Sequence, residues 1–488
     1  MADNSQAFNE TLQNAVQLHV SGDVDKAIGL YHNLLDEHPD HPDLWHLLGV
    51  AVHQKGDNRL AVQLITMALS IKNDVADYHN NLGMALRGLG QEETAEQSFR
   101  SAIRLNPQHT KALGNLASLC RHAGDIASGL DYARQAAAIA GSDPEALNNL
   151  GNAQKDAGLV GDSLTSYQRA VELDPDFALA HWNLSLALLS AGRYEEGFRE
   201  ISWRWRWPKF PGRRATFDQQ EWAGDNLNGR TLLLYPEQGL GDMLFMLRFA
   251  PAPESNGGRI ILELPKELIP LAEESHLADE IRCPMGTPSP FDVHAPLMDI
   301  PRLCELRGPD LFRTTPYIRA PSHLHLTWKN KLNHYDGLKI GLNWSGNPSS
   351  PVEQRRRLPV GQLMSLAEDT RIIWFSLQRG KPPDSPLPAD FPIVDTGPAS
   401  LEDTAGMISA LDLVITSDTA VAHLAGALGK PVWVLLHHDP DWRWSNGETT
   451  PWYPSARLFR QTSPGDWTPV IAAVRAGLHQ HIRAMRDK

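Results

Sequence analysis

Hydrophobic and small residues recur every 34 positions over the first two fifths of the chain. A leucine column runs from Leu48 to Leu184, and a column of small residues begins at Ala27 with the same step. Such a pattern predicts helix–turn–helix units, because a small residue lets two helices approach closely. Glycines that permit the tight turn between the helices keep the same spacing, at Gly22, Gly56, Gly90, Gly124, Gly158 and Gly192. Prolines that end helices fall at three repeat ends, at Pro39, Pro107 and Pro175.

A period of 34 residues is that of the tetratricopeptide repeat. We predict six repeats, at roughly 8–41, 42–75, 76–109, 110–143, 144–177 and 178–205, which makes residues 1–205 an α-solenoid. Stacked repeats of this kind form a concave groove that usually holds another protein. The resemblance therefore implies a protein partner, without indicating why that partner is bound.

Tryptophan and arginine alternate over residues 203–214, where the repeat pattern fades. Two interpretations exist. The segment forms a nucleic-acid stacking surface, or it is a joint at which the last repeat docks on the next domain, with arginine stems packed on tryptophan faces. The second is preferred, and residues 206–229 are taken as a linker.

Short apolar strands alternate with helices from residue 230 onward. The predicted strands are 231–235, 259–264, 339–344, 371–377, 411–416 and 431–436, and the helices include one from Met243, 401–411 and 419–428. This alternation predicts parallel sheets with helices on both faces. Two Rossmann-like halves, 230–330 and 331–488, are expected to face a cleft, giving an α + α/β chain. Residues 285–325 read as turn-rich and 451–461 as an aromatic loop that flanks the cleft.

Composition narrows the function classes. The net charge of −13 argues against a general nucleic-acid binder. The three cysteines have no CxxC spacing, so neither a disulfide framework nor a zinc knuckle is expected. The first residues lack a signal-peptide pattern, and no apolar run reaches about 18 residues, the length a membrane span needs. A cytoplasmic protein without a membrane span is the expectation.

The first candidate loop, residues 237–242, joins a strand to a helix. It is a degenerate GxGxxG in which Leu244 replaces the third glycine, and it has no P-loop lysine, so NAD and ATP sites are both disfavoured. Asp242 at its end has two open interpretations. It caps the helix, or it is a general base directed into the cleft.

Two further loops follow predicted strands. Ser345 and Gly346 offer hydroxyl and amide donors to a phosphate, and the triplet 355–357 is either solvated surface or a diphosphate ligand. Asp418 and Thr419 are expected to cap the helix at 419–428, whose free N–H groups favour an anion. His423 lies one turn later and is either a satisfied core histidine or a phosphate contact. The adjacent histidines at 437 and 438 would point to opposite faces of a strand, which disfavours a metal site.

Several phrases resemble the ADP-heptose:lipopolysaccharide heptosyltransferase family. GLGD with its following apolar helix, and DTAVAHLAGALGKPVWVLL, are similar to that family's first loop and donor-diphosphate motif. YPEQGLGD, SLQRG, DWRW and PWYPSARLFRQ resemble a bacterial subgroup that fuses tetratricopeptide repeats to this domain, and some of its members modify flagellins with nonulosonic sugars. The O-linked N-acetylglucosamine transferases share the layout. The resemblance implies a GT-B fold over about 230–475.

The resemblance also implies residue roles. Asp242 matches the catalytic base, and Asp418, Thr419 and His423 match the donor-phosphate motif, in which Ala420 replaces the family's glycine. Arg356 or Arg357 is taken to replace the family's phosphate-contacting lysine. The predicted donor-binding residues are Gln238, Gly239, Gly241, Ser345, Gly346, Asn347, Arg356, Arg357, Gln378, Asp418, Thr419, Ala420 and His423.

The expected activity is an inverting, metal-independent glycosyl transfer. The nucleotide-sugar is a co-substrate and no cofactor is needed. The acceptor is a Ser or Thr hydroxyl of a protein held by the repeats, with flagellin as the first candidate. The alternatives are a glycan or lipid acceptor, and a non-catalytic repeat scaffold.

Overall fold

The fold comes from a computed structural model that describes residues 2–212, 214–284, 290–312, 315–350, 352–379 and 386–486. The chain divides into two compact units, Met1–Asn183 and Leu184–Lys488. This division lies before residue 205, the predicted end of the repeats. The second helix of the sixth repeat belongs to the second unit because its aromatic side chains pack there: Tyr194 lies 4.9 Å from Trp452, and Phe198 lies 6.1 Å from Phe249, between ring centroids.

The first unit is built from helix pairs, as predicted. Its helices, the last of which crosses the division, are α1 Ala2–Val20, α2 Val24–Glu37, α3 Pro42–Gln54, α4 Asn58–Ile71, α5 Ala76–Gly88, α6 Glu92–Leu105, α7 Thr110–His122, α8 Ile126–Ala140, α9 Pro144–Asp156, α10 Val160–Leu173 and α11 Ala178–Ser190. Each of the helices α1, α3, α5, α7 and α9 packs on the helix that follows it, and α3, α5, α7 and α9 also contact one another in succession.

The two periodic small-residue columns have different physical causes. The six turn glycines have φ between +73° and +93°, and a Cβ atom there would meet nothing within 4 Å. Backbone conformation, rather than space, therefore requires glycine at the turns. In the other column a Cβ at Gly129 would lie 2.6 Å from Arg121 Cγ, so there the approach of two helices demands the small residue.

The second unit contains the predicted α/β region. Its helices are α12 Tyr194–Glu200, α13 Leu240–Met246, α14 Ile269–Glu274, α15 Ile300–Leu303, α16 Ser322–Leu332, α17 Glu353–Arg356, α18 Val360–Leu363, α19 Leu401–Ala410, α20 Ala420–Ala427 and α21 Thr468–Arg486. Its strands are β1 Gln220–Glu221, β2 Thr231–Tyr235, β3 Arg259–Glu263, β4 Glu280–Arg282, β5 Val293–Pro296, β6 Leu338–Asn343, β7 Ile372–Ser376, β8 Ile393–Val394, β9 Leu413–Ser417, β10 Val432–Leu436 and β11 Ala456–Arg460.

The strands form two parallel sheets, in the orders β1-β5-β2-β3-β4 and β11-β10-β9-β6-β7-β8. This arrangement confirms two Rossmann-like halves, consistent with a GT-B-like fold. Fully buried strand residues such as Ile340, Trp374 and Leu435 form the core of the second half, against which α21 packs. The loops after β2, β6, β9 and β10 leave the carboxyl ends of the strands, where ligands bind in open parallel sheets.

Three local predictions are wrong. Helix α13 begins at Leu240 instead of Met243, which places Gly241 and Asp242 in its first turn. The turn-rich reading of 285–325 misses β5, which pairs with β2 in the first sheet. The loop reading of 451–461 misses β11, which pairs in parallel with the whole length of β10. Both strands are short, and their partners in the sheet stabilise them more than local sequence does.

The tryptophan–arginine segment packs its arginines on its own tryptophans. Residues Ile201–Arg206 form a 3₁₀ helix. The Arg204 guanidinium lies 4.5 Å from the Trp205 ring centroid, and that of Arg206 lies 4.3 Å from the Trp203 ring. The predicted packing of arginines on tryptophan faces is thus present within the segment, and its role as a joint stays a prediction.

Candidate active site

Asp242 lies in the first turn of α13. Its carboxylate accepts a hydrogen bond from the backbone N–H of Gly239, which is the N-cap residue, so Asp242 is the third residue of the helix and not its N-cap. Protein atoms surround the carboxylate on most sides, yet 32% of the side-chain surface remains exposed. The hydrogen bond to Gly239 therefore does not exclude proton transfer, because part of the same side chain stays accessible.

Arg443 pairs with Asp242 across the two halves of the unit. The guanidinium is 4% exposed; its Nη2 lies 2.8 Å from Asp242 Oδ1, and its Nη1 lies 2.8 Å from Asp441 Oδ1. The rings of Phe245 and Trp442 lie 4.8 and 4.7 Å from the guanidinium carbon. Arg443 is absent from the predicted site residues. The available signal was the DWRW phrase, in which an arginine between two tryptophans follows an acidic residue.

Opposing effects act on the pKa of Asp242. Burial raises this pKa above its ordinary value, the Arg443 guanidinium lowers it, and the Asp441 carboxylate raises it further. The net direction is upward. A carboxylate with a raised pKa is a stronger proton acceptor, which suits a general base.

Helix α20 begins directly after β9 and faces α13. Thr419 is its N-cap residue, but the Thr419 hydroxyl makes no hydrogen bond to the first turn, so the predicted side-chain cap is wrong. Instead Thr419 Oγ1 accepts a 3.1 Å hydrogen bond from Asn343 Nδ2 and lies 3.3 Å from Thr416 Oγ1. The hydroxyl therefore joins the ends of β6 and β9, which fixes the strand edge from which α20 starts.

His423 is buried among aromatic side chains. Its Nδ1 lies 3.0 Å from Tyr453 Oη, and its ring stacks on Trp444 with 5.0 Å between centroids. Burial lowers the pKa of His423 well below its ordinary value, and the cations Arg443 and Arg248 lower it further. Nδ1 thus has a hydrogen-bond partner within the core, as expected for a core histidine with satisfied hydrogen bonds.

The other edge of the imidazole approaches the first loop. A Cβ atom at Gly241 would lie 3.1 Å from His423 Cδ2 and 3.7 Å from both His423 Nε2 and Ala420 Cα. The glycine therefore permits α13 and α20 to meet. The structure brings together the two loops that the sequence predicts to carry the chemistry.

We expect Gly241→Ala to destabilise the second unit by about 1–2 kcal/mol, because the added methyl presses on a histidine that Trp444 and Tyr453 hold in place. The free energy of unfolding, followed by tryptophan fluorescence, measures this. Gly361→Ala is the matched control: Gly361 is also the second residue of its helix, α18, and its added Cβ meets nothing within 4 Å. Helix propensity alone should make that variant neutral or slightly more stable. Equal effects of the two changes would contradict the close approach.

The second loop is held by two polar side chains. Gln378 Oε1 accepts hydrogen bonds from the backbone N–H groups of Trp344 and Ser345, at 3.4 and 3.1 Å. Glu353 Oε1 accepts a 2.7 Å hydrogen bond from the backbone N–H of Gly346. The predicted donor ligand Gln378 thus contacts the loop backbone, which positions Ser345 and Gly346 beside the start of α20.

Of the two predicted arginines, the structure brings Arg356 to the site. Its Nε donates a 2.7 Å hydrogen bond to Glu353, and a Cβ at Gly346 would lie 2.6 Å from its Nη2. The charge of Arg356 also lowers the pKa values of Asp418 and His423. Arg357 ends α17, and its backbone N–H donates to the carbonyl of Glu353.

The remaining predicted residues occupy the same loops. Gln238 is half-buried between β2 and α13, and Ala420 is half-buried at the start of α20. Asn347 is exposed, and its Oδ1 accepts a hydrogen bond from the backbone N–H of Ser349. Within the described part of the chain, the hydroxyls of Ser345 and Ser417 are buried without a hydrogen-bond partner. Two orphaned donors at neighbouring strand ends suit the oxygens of a ligand.

Asp418 has a raised pKa. Burial raises its pKa to about 6, Asp441 raises it further, and Arg356 and Arg443 act in the opposite direction. A carboxyl group whose pKa is higher in the folded than in the unfolded state destabilises the fold as the pH rises from the unfolded-state pKa to the folded-state pKa. We expect Asp418→Asn to remove this cost, which reaches up to about 3 kcal/mol above pH 6.

The check on Asp418 is urea unfolding of both proteins at pH 4, 5, 6 and 7. The stability advantage of Asp418→Asn should grow between pH 4 and 6 and then level off. An advantage that does not change with pH would contradict the raised pKa. The matched control is Asp412→Asn, because Asp412 is exposed at the other end of the same strand.

A buried ion cluster supports the first loop from behind. Arg204 donates two hydrogen bonds to Glu237, at 2.8 and 2.7 Å, and its Nη1 lies 2.7 Å from Asp299 Oδ1. All three side chains are at most 2% exposed. Burial raises the pKa of Glu237 to about 7, although Arg204 lowers it. Glu237 immediately precedes Gln238, so the cluster fixes where the loop begins.

Metal and membrane features are as follows. Among the described residues, no group of three or more His, Cys, Asp and Glu side chains is arranged to hold a metal ion. No helix in the described ranges combines the length and the apolar character needed to cross a membrane.

Comparisons with known families match both units. Residues 20–83, 80–144 and 148–200 match tetratricopeptide repeat families, and residues 394–465 match glycosyltransferase family 9 (heptosyltransferase). The second match includes Asp418, His423 and Arg443, whereas Asp242 lies outside it. The matched residues thus include α20 and the segment after β10, which form one half of the site.

Among whole proteins, the chain is similar to Protein FlbA of Caulobacter vibrioides, with 26% identity over 333 residues. The match covers 62% of this chain and 55% of FlbA, so the chain spans about half the length of that relative. Solved structures with similarity include TTC0263, a thermophilic tetratricopeptide protein of Thermus thermophilus (22% identity, 37% of this chain and 99% of that one, TM-score 0.35), and the type IV pilus biogenesis factor PilW (22%, 42% and 96%, TM-score 0.37). By the family matches, tetratricopeptide repeats within residues 20–200 are followed in the same chain by a segment, residues 394–465, of the glycosyltransferase family 9 (heptosyltransferase) type.

Proposed function

We propose that the protein transfers a sugar from a nucleotide-sugar to a Ser or Thr hydroxyl of a protein acceptor bound by the repeats. The observation that carries this proposal is the meeting of the accessible Asp242 carboxylate with the start of α20 in one site, where Gly241 lies against His423. A base on one half and an anion-binding helix end on the other are what this reaction needs.

In the proposed mechanism, the donor diphosphate lies at the start of α20. Asp242 accepts the proton of the acceptor hydroxyl while its oxygen bonds to the anomeric carbon. The bond from that carbon to the phosphate oxygen breaks, and the nucleotide leaves with the electron pair. Attack from the face opposite the leaving group inverts the anomeric centre. Arg356 and the N–H groups of α20 stabilise the developing phosphate charge, so the protein itself supplies the positive charge.

The repeats supply a surface suited to an extended polypeptide. Four asparagines recur at the 34-residue step on successive first helices, and all are half-buried: Asn81, Asn115, Asn149 and Asn183. Side-chain amides both donate and accept hydrogen bonds, as a peptide backbone does. Neighbouring amides already bond in this way, since Asn115 donates to Asn80 and Asn183 donates to Asn148, at 2.9 and 2.8 Å.

We expect the double change Asn115→Ala and Asn149→Ala to raise the KM for the protein acceptor about tenfold or more, because each lost hydrogen bond contributes about 0.5–1.5 kcal/mol. The rate of donor hydrolysis in the absence of acceptor should not change. Steady-state kinetics with full-length acceptor measures both. The control, Ser70→Ala together with Ser101→Ala, removes two hydroxyl groups from the second helices, one exposed and one half-buried. An unchanged acceptor KM in the asparagine variant would argue for a glycan or lipid acceptor.

The proposal is tested by the intact mass of flagellin, the first acceptor candidate, isolated from the native host. Strains lacking the gene, complemented with it, or complemented with its Asp242→Asn form are compared. We expect a sugar-sized loss of mass without the gene, restored only by the wild-type copy, and that mass identifies the donor class, with a nonulosonic acid as the first expectation. An unchanged flagellin mass would rule out this acceptor, and an active Asp242→Asn form would rule out the assigned base.

A further inference from the structure

Arg443 is the side chain of the site whose role neither its motif nor its family match assigns. We infer that Arg443 is a positioning residue for Asp242: by binding Oδ1, it leaves Oδ2 as the oxygen that receives the acceptor proton. This inference rests on the proposed function, in which Asp242 is the base. It specifies how that base is aimed.

The arginine is itself fixed from several sides. Asp441 Oδ1 accepts hydrogen bonds from Arg443 Nη1 and from its backbone N–H, at 2.8 and 3.0 Å. The Arg443 carbonyl accepts a 2.7 Å hydrogen bond from Thr450 Oγ1. The rings of Phe245 and Trp442 contact the guanidinium. A cation held this firmly can fix the orientation of a carboxylate that it touches, because the geometry of the pair does not relax.

The orientation that results is specific. Arg443 Nη2 lies 2.8 Å from Asp242 Oδ1, whereas Oδ2 lies on the side of Gly239, at an ordinary contact distance of 3.4 Å from a Cβ atom built there. The Asp242 side chain keeps 32% of its surface exposed although Arg443 binds Oδ1. The ion pair also joins α13 to the segment after β10, so Asp242 is aligned only when the two halves meet as they do here.

The charged surroundings of Asp242 make this role testable. The charged groups that act on its pKa are Arg443 and Asp441, both after β10. On α20, which packs against α13, the imidazole of His423 lies against the neighbouring Gly241. Arg443 is the cation in direct contact, and its charge lowers the pKa of Asp242, whereas Asp441 raises it. Removing the Arg443 charge should therefore shift the acidic limb of the pH–rate profile upward, and removing the Asp441 charge should shift it downward.

The experiment is the pH dependence of kcat/KM for transfer to flagellin, with the nucleotide-sugar identified by the intact-mass measurement. Relative to wild type, Arg443→Gln should lose at least tenfold at neutral pH and shift the acidic limb upward by about one to two pH units. Arg443→Lys should keep the wild-type limb and recover part of the rate, since it retains the charge without the planar fork. Asp441→Asn should shift the limb downward.

The outcomes separate this inference from the proposed function. If Asp242→Asn retains full activity, the assigned base is wrong. If Asp242→Asn is inactive but Arg443→Gln has an unshifted limb, only the positioning role is overturned, and Arg443 serves the fold alone. If Arg443→Gln does not fold, Arg443→Lys and Asp441→Asn still test the inference. The inference is contradicted if both of these variants have the acidic limb and the rate of the wild type.

Discussion

Asp242→Asn is expected to lower kcat for transfer by about 10²–10⁴-fold, the usual contribution of a positioned general base. The amide cannot accept the acceptor proton, yet it has the same shape, and its oxygen can still receive the hydrogen bond from Arg443. The affinity for the nucleotide-sugar should therefore stay within a few-fold of wild type. Steady-state kinetics gives the first value, and calorimetric titration with the donor gives the second.

Asp441→Asn is the matched control for this change. Asp441 pairs with the same guanidinium at the same 2.8 Å distance and is similarly exposed, at 36% against 32% for Asp242. The Asp441→Asn change removes one negative charge next to Arg443 but leaves Asp242 intact. Its kcat should therefore fall far less than that of Asp242→Asn. Equal losses in the two variants would show that the charge balance around Arg443 matters and that Asp242 has no separate role as a base.

Arg204→Met is expected to destabilise the second unit by about 3–5 kcal/mol, because it leaves the buried Glu237 carboxylate without its cation and leaves Asp299 with Arg302 alone. The pKa of Glu237 is already raised to about 7, and it should increase further without Arg204. Protonation then relieves part of the cost, so the deficit should be smaller at pH 5 than at pH 8. Urea unfolding at both pH values measures it; of the 14 tryptophans, all but Trp45 and Trp182 lie in this unit.

The neighbouring arginine provides the control for Arg204. Arg206 lies in the same 3₁₀ segment and also stacks on a tryptophan, but it is exposed. Arg206→Met should therefore cost about 1 kcal/mol or less. A deficit of similar size in the two variants, or one that does not depend on pH, would contradict the account of a buried ion cluster beneath the first loop.

The repeats could be predicted in detail because their signal is local and periodic. Each turn glycine has a positive φ, which depends on the backbone of its own turn. The end of the repeats could not be predicted in the same way. Tyr194 and Phe198 continue the helical pattern, but their packing partners Trp452 and Phe249 lie far along the chain and draw α12 into the second unit.

Those residues of the candidate site that lie in loops directly after strands could be predicted from the sequence. Glycine-containing loops after apolar strands indicated Asp242, Ser345 and Asp418, since parallel strands bring their carboxyl ends to one edge. The side chains that arrange these residues gave no comparable signal. Arg204 acts on Glu237 from 33 residues away, and Arg443 acts on Asp242 from far along the chain.

The sequence by itself therefore determined the helix pairs, the two parallel sheets and the loops that carry the chemistry, because periodicity and strand-end rules depend on neighbouring residues. Only the tertiary structure decided that α13 and α20 meet at Gly241, that β11 completes the second sheet, and that Arg443 and Arg204 pair with carboxylates. These features depend on which distant groups become buried together, because burial gives an ion pair or a close contact its strength.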